Sequence, residues 1–451
     1  MKIAMIARLL AERRRLLAHK DWTRQQLEAF QVEALGALRK HTYTRSPFYQ
    51  QFHKGLYEAS LHELPALSKE MLMEHFDELV TDREIHLADV KSYAASQRAG
   101  EEFLGRYRVQ STSGTSGHPG LFLYNQQEWS GMLAAAFCAF QGAGIRISLT
   151  HRTKMAQITS TNPSHMSMQG SASMGSWWMP MLQLAASEPV TSLIERLNDW
   201  QPEAMMAYAS IIRILAEEQI AGRLHIAPRT VISGSEVLTP ETRRRAVQAW
   251  GNVLFNMYGT TDCGGIGAEC DRHRGMHLRE DLAIVEVVDR ENRPVATGEY
   301  GDRLLVTVLG SRTQPLIRYQ LDDSLRLLAD PCPCGRPFRL IGEIQGRVHE
   351  ILEFPAAFPD RAGSVKVHPI VFHNIMDTLP VRGWQVVQQV DGLHLLLADV
   401  QAPLDEAQLA DRVTKALTKQ GVAATQIHIQ RVDSIPQTAA GKTPLVKSNL
   451  H

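Results

Sequence analysis

Gln110-Ser111-Thr112-Ser113-Gly114-Thr115-Ser116-Gly117-His118-Pro119-Gly120-Leu121-Phe122-Leu123-Tyr124 is the stretch on which the fold is decided. Thr112, Ser113, Thr115 and Ser116 place four hydroxyls within five residues. Gly114 and Gly117 tolerate positive φ and carry no Cβ, so backbone N–H groups can converge on an anion. Pro119 stiffens the exit, and Leu121-Phe122-Leu123 reads as the following strand. This is the composition of a loop that wraps a polyphosphate. Most Ser/Thr/Gly clusters are solvated turns, so the stretch alone does not settle the matter. It is not a Walker loop, because no Gly-Lys-Ser/Thr follows at the required spacing.

The surrounding chain sets bounds. Its 451 residues suffice for two or three domains with a large core. Lys+Arg and Asp+Glu balance at 48 each, which speaks against a chain-wide grip on nucleic acid or an anionic membrane. No apolar run reaches membrane-spanning length. In Met1–Lys20, Arg8 and Arg13-Arg14-Arg15 interrupt the apolar residues, so a targeting peptide is not expected. Ile6, Leu9, Leu10, Leu16 and Leu17 instead fit one helix face. Five cysteines do not make a disulfide scaffold, and a cytoplasmic home is expected.

Toward the N-terminus, Thr23 and Gln26 form a capping-box pattern opening a helix over 23–41, which Ser46-Pro47-Phe48-Tyr49 ends. Leu64-Pro65-Ala66-Leu67-Ser68-Lys69-Glu70 starts another, with Ser68 as N-cap. Beyond the loop, helical and strand-like pieces alternate from Ser130 to Met206, as in an α/β sheet with crossover helices. Half of the sixteen methionines lie between Met155 and Met206, near Trp177-Trp178. Thioethers and flat rings can line an apolar pocket, and they can equally fill a core.

Arg229–Ser233 predicts a short strand running into the turn Gly234-Ser235-Glu236, with Thr239 capping the next helix at Pro240. Val253–Met257 predicts a strand that delivers Tyr258-Gly259-Thr260-Thr261-Asp262. Tyr258 can stack on a base, Thr260 or Thr261 can donate to phosphate, and Asp262 can hold Mg²⁺. Gly301–Leu309 reads as an alternating strand leading to Pro315-Leu316-Ile317-Arg318-Tyr319-Gln320-Leu321-Asp322-Asp323. Cys332 and Cys334, one residue apart, suggest zinc, and Cys270 with His273 or His277 completes a Cys₃His set. Unligated buried thiols are the plainer alternative. Cys138, in an apolar helical stretch, reads as core. At the C-terminus, Trp384–Val390 and Leu393–Val400 form a hairpin around Asp391-Gly392, Leu404–Gly421 is helical and Ile427–Val432 is a strand. Pro436-Gln437-Thr438-Ala439-Ala440-Gly441-Lys442 follows.

In this order the motifs resemble those of the adenylate-forming superfamily of acyl-CoA synthetases, adenylation domains and luciferases. The resemblance spans about Ser46 to Lys442. The hydroxyl-rich loop is similar to its Thr/Ser-Ser-Gly-Thr-Thr-Gly-x-Pro phosphate loop. Ser-Pro-Phe-Tyr and Leu-Pro-x-Leu-Ser-Lys are similar to its phenylacetate–CoA ligase branch. The expected fold is α/β: a large multi-layer N-terminal α/β domain over 1–346 and a small, mobile C-terminal α+β domain over 347–451.

The resemblance implies an ATP/AMP site of Thr112, Ser113, Gly114, Thr115, Ser116, Gly117, Gly234, Ser235, Glu236, Tyr258, Gly259, Thr260, Thr261, Asp323 on the ribose, and Arg347. Lys442, Thr115 and Asp262 would be catalytic. Asp262 stands where the family has Glu and would hold Mg²⁺. Asp322 occupies a family glycine, and Pro444-Leu445 stands where a basic residue is common. Tyr208 and Trp177 fall by the acyl pocket. Several similar chains carry a structural zinc, here Cys270, Cys332, Cys334 and His277, the last preferred because Gly275-Met276-His277 recurs in them. The implied activity is activation of an aromatic carboxylic acid by ATP, with transfer of the acyl group to coenzyme A. Transfer to an amine, or a nucleotide-binding regulatory protein without ligase activity, are the alternatives. The expected partners are small molecules, with no nucleic acid, no membrane, and a homodimer as the assembly.

Overall fold

The computed structural model describes residues 3–112, 120–145, 152–175, 179–347, 350–357, 363–436 and 445–450. Ser113–Gly117, Trp177 and Lys442 therefore lie outside the described residues.

The N-terminal helices follow their caps. Thr23 accepts from the Gln26 N–H while the Gln26 side chain accepts from the Thr23 N–H, and the helix Arg24–Arg45 results. Ser46 ends that helix and caps a further short one, Pro47–Phe52. Ser68 caps Lys69–Glu74 as its sequence position predicts. In the first helix, Ile3–Ala18, Leu9 and Leu16 are buried but Leu10 is exposed, because the buried stripe is narrower than the apolar one.

A nine-stranded mixed sheet forms the centre. In spatial order its strands are Asp323–Leu327, Leu340–Arg347, Met276–Leu278, Gly264–Glu269, Leu254–Thr260, Thr230–Ser233, Ala204–Ala207, Met155–Thr159 and Met181–Ala185. The last five run parallel, joined by helices such as Ala209–Ile220 and Pro240–Trp250. From Met155–Thr159 the chain first steps outward to Met181–Ala185, then returns to the other side with Ala204–Ala207. That reversal is a topological switch point, where open α/β sheets bind ligands beyond their carboxyl ends. The strand Arg303–Val308, expected to alternate, instead buries Leu304, Leu305, Val306 and Thr307 in succession, because both its faces are covered.

The Pro315–Asp323 stretch is locked to the N-terminal helices. Arg318 pairs with Glu286 at 3.0 Å, and both side chains are 4% exposed. The same guanidinium donates to the carbonyl oxygens of His62 (2.9 Å) and Leu64. Tyr49 donates to the Pro315 carbonyl oxygen at 2.9 Å. Glu286→Ala leaves the Arg318 charge buried without its partner and is expected to cost about 3–5 kcal/mol, read as a shifted urea midpoint at unchanged slope.

A second apolar core is built wholly from residues between Leu352 and Val446. Its four-stranded sheet runs Ile427–Val432, Gly392–Val400, Val381–Gln389, Val446–Ser448, with the helices Pro369–Met376 and Glu406–Lys419 packed on it. The hairpin loop is Val390-Asp391, one residue earlier than expected. Gly392 pairs with Gln389 because its φ of +141° and missing Cβ admit the Gln426 carbonyl. A polar seam joins this part to the helices of the large sheet. Arg213 donates to the carbonyl oxygens of Val381 (3.2 Å) and Arg382 (2.9 Å), Arg245 to that of Asp377 (3.0 Å), and Arg382 pairs with Glu218 at 2.8 Å. No described helix is long and apolar enough to cross a membrane.

Candidate active site

A cavity of about 1370 Å³ opens at the carboxyl ends of the parallel strands. Thr112, Tyr208, Gly234, Ser235, Glu236, Tyr258, Gly259, Thr260, Thr261, Asp262 and Asp323 all line it.

The turn after Leu254–Thr260 is held by short contacts. Gly259 has no room for a Cβ, which would lie 2.8 Å from the Gly264 carbonyl oxygen. The Cys263 N–H donates to Thr260 Oγ1 at 3.1 Å. The buried Tyr124 hydroxyl donates toward the carbonyl oxygens of Thr261 (2.6 Å) and Asp262 (2.9 Å). Burial keeps this phenol well above its usual pKa, so it remains a donor.

Two phenol–carboxylate pairs converge across the cavity. The Tyr258 hydroxyl donates to Asp323 Oδ2 at 2.9 Å, and that of Tyr319 donates to Asp262 Oδ2 at 2.7 Å. Tyr319 and Asp323 come from the Pro315–Asp323 stretch, Tyr258 and Asp262 from the Leu254–Asp262 stretch. Each stretch thus orients the other's carboxylate. Arg347 ends the strand Leu340–Arg347, and its register sets it opposite Asp323.

Gly234-Ser235-Glu236 leaves its strand through a positive φ of 66° at Ser235, and Glu236 accepts from the Ser210 N–H at 2.9 Å. Tyr208 immediately precedes the helix Ala209–Ile220, and its hydroxyl oxygen accepts from the Ser160 N–H at 2.9 Å. Burial pushes its pKa up to about 12. Met132, Ala135, Ala136, Met166, Met174 and Met206 face the same cavity and make one side of it apolar.

Sequence reading passed over three participants. Lys69 Nζ donates to Thr112 Oγ1 at 3.0 Å and lines the cavity, tying the Leu-Pro-x-Leu-Ser-Lys segment to the first residue of the hydroxyl-rich loop. Tyr319 holds Asp262, and Cys263 sits beneath the turn. The Leu-Pro-x-Leu-Ser-Lys motif offered the signal for Lys69. Only the fold pairs Tyr319 with Asp262. Cys138 is partly buried, with its thiol 3.9 Å from the Arg13 carbonyl oxygen.

The Cys₃His residues also meet. Cys270 Sγ lies 3.7 Å from Cys332 Sγ and 3.4 Å from His277 Nε2, and Cys334 Sγ lies 3.3 Å from His277 Nε2. Ligands of a tetrahedral zinc with bonds of about 2.0–2.3 Å are separated by about 3.3–3.8 Å, so the four fit the ion. Burial lowers the His277 pKa to about 4, leaving a neutral imidazole. His273 turns away to Glu269 at 3.2 Å.

The family described as AMP-binding enzyme matches residues 107–306. The chain is 25% identical to phenylacetate-coenzyme A ligase from Thermus thermophilus, over 87% of this chain and 82% of the relative. It is 28% identical to phenylacetate-coenzyme A ligase from Pseudomonas putida, over 72% of each. These matches make the chain similar to the adenylate-forming superfamily, and within it to the phenylacetate–CoA ligase-like branch. Its fold is that of 2-hydroxyisobutyryl-CoA ligase in the postadenylation state in complex with R3-HIB-AMP. That likeness has a TM-score of 0.75 at 17% identity, covering 96% of this chain and 91% of the other.

Proposed function

We propose that the chain is an AMP-forming acid–thiol ligase that activates an aromatic carboxylic acid and passes its acyl group to coenzyme A. The observation that carries this reading is the crossed pair Tyr258–Asp323 and Tyr319–Asp262 in one cavity with Thr112 and Gly234–Glu236. The family match over residues 107–306 supports it, and so do the relatives' names.

In the first step the substrate carboxylate forms a bond to the α-phosphorus of ATP, and the bond to the bridging oxygen breaks. Pyrophosphate leaves with that electron pair. In the second, the sulfur of coenzyme A, having lost its proton, attacks the acyl carbon and AMP leaves. Neither step needs a covalent enzyme intermediate, so the residues act by position and charge. Asp323 accepts from the vicinal ribose hydroxyls, with Tyr258 fixing its orientation and offering a ring face to the base. Residues 112–117 cradle the phosphates, and Lys69 positions Thr112. Asp262, an oxygen donor held by Tyr319, suits Mg²⁺, which neutralises phosphate charge when bound. Tyr208 belongs to the acyl side, whose methionine and alanine lining suits a flat apolar acid, and Trp177 is assigned to that side on the resemblance alone. The Cys₃His set holds zinc for stability rather than chemistry. Residues from 347 onward form the mobile unit that carries Lys442.

The test is ATP–pyrophosphate exchange with a panel of aryl and alkyl carboxylates, followed by acceptor screening with coenzyme A and amines. Aryl acids supporting exchange, and thioester formation with coenzyme A, are expected. Exchange with no acid would overturn the ligase reading. Asp323→Ala removes a charge-assisted acceptor and should raise the KM for ATP by about 10–100-fold, with the KM for the acid little changed.

A further inference from the structure

A second group of metal-ligating side chains lies on the C-terminal sheet, apart from the Cys₃His set. We propose that Asp391, His394 and His428 form a solvent-open site for a first-row divalent cation of the zinc or nickel kind.

The placement follows from register. Gly392–Val400 and Ile427–Val432 run parallel, and His394 stands directly opposite His428. Opposed residues of paired strands share a face, and the two imidazoles stack with centroids 4.6 Å apart at 27°. Asp391 occupies the two-residue loop just before His394. Gly392 pins that loop to the neighbouring strand. Any Cβ there would lie 2.5 Å from the Gln426 carbonyl oxygen, which accepts from the Leu393 N–H at 2.8 Å. The carboxylate is thus delivered to the histidine pair by backbone geometry, not by a flexible tether.

The donor atoms lie close together, and His428 Nε2 is also 3.3 Å from the Asp391 carbonyl oxygen. His394 Nε2 is 2.8 Å from Asp391 Oδ1, and His428 Nε2 is 3.9 Å from Asp391 Oδ2. The three ligand atoms all lie within 4.8 Å of one another. His394 is fixed: only 8% of its side chain is exposed, and its Nδ1 is enclosed without a hydrogen-bond partner, so Nε2 is the nitrogen it presents. Asp391 can adjust, with its side chain 61% exposed. Stacked rings present their nitrogens side by side, and a turn of the His428 ring, 37% exposed, brings its Nε2 to the ion held by His394 Nε2. A rotation of the Asp391 carboxylate supplies the third corner, and water fills the rest. Two imidazoles and one carboxylate select zinc, nickel, cobalt or copper(II) over Mg²⁺ and Ca²⁺, which favour all-oxygen sets. An ion there ties the loop to the strand Ile427–Val432 and favours the folded form of this sheet.

The test uses untagged, full-length protein as purified, with its metal content measured first. Titration with Ni²⁺ followed by calorimetry should show one equivalent beyond the metal already present, and a rise in Tm. Asp391→Asn and the double variant His394→Gln/His428→Gln should each lose that equivalent and the Tm rise. The metal already present should stay unchanged through the titration, which separates this site from the thiolate set. Asp391→Asn covers the case in which the histidine variant fails to fold, since the side chain is exposed and the loop backbone is unchanged. Wild type with no additional equivalent, or both variants binding as wild type does, would overturn the proposal.

Discussion

Lys442→Ala is expected to slow ATP–pyrophosphate exchange by about 10²–10³-fold while largely sparing the reaction of supplied acyl-AMP with the acceptor. Residues 437–444 lie outside the described ones, but the chain on either side is placed. Ser434 and Ile435 line the cavity before this segment, and Leu445 and Val446 line it after. Val446–Ser448 pairs in parallel with Val381–Gln389, so the exit is anchored. Lys442 stands three positions before Leu445, so their Cα atoms are at most about 10 Å apart. In the proposed mechanism its ammonium serves the α-phosphate, where negative charge passes from the attacking carboxylate to the leaving pyrophosphate. The second step lacks that charge movement. The asymmetry between the two half-reactions is therefore the diagnostic. A merely destabilised variant would lose both together. Exchange at the wild-type rate would make Lys442 a bystander.

Removing the proposed zinc ligands should have the largest effect on stability. Purified protein is expected to carry one zinc, and Cys270→Ser or Cys332→Ser should lose it and fail to accumulate as folded protein. Structural zinc contributes about 10–16 kcal/mol of binding free energy in zinc-finger peptides, comparable with a domain's whole stability of about 5–15 kcal/mol. The geometry locates the damage. His277 pairs in register with Leu340, joining two strands of the central sheet, and Cys270, Cys332 and Leu340 share one small cluster. The outer strand Asp323–Leu327, which carries Asp323, pairs with the strand that begins at Leu340. Loss of metal should therefore also weaken ATP binding in any variant that survives. His273→Ala should retain the zinc, because His273 is bonded to Glu269 instead. Metal analysis finding less than about half an equivalent, in protein never exposed to chelator, would count against the site.

The sequence by itself determined those features whose information is local. A hydroxyl-and-glycine stretch, Tyr258–Asp262 at the end of an apolar run, and Cys332-Pro333-Cys334 each state their chemistry within ten residues. Their order along the chain then pointed to the superfamily. Caps at Thr23, Ser68 and Thr239 were readable because a cap is a contact between residues three apart. What needed the tertiary structure was every pairing across the sheet. Tyr319 orienting Asp262, Tyr258 orienting Asp323, and Lys69 reaching Thr112 join residues 57, 65 and 43 positions apart. No periodicity encodes such distances. The choice of His277 over His273 rested on resemblance in the sequence. In the fold it rests on strand geometry, which turns one ring toward the thiols and the other toward Glu269. The pairing of His394 with His428 was equally invisible. Their proximity is set by the register of two parallel strands, and register is fixed by how a whole face packs, not by the residues that happen to meet on it.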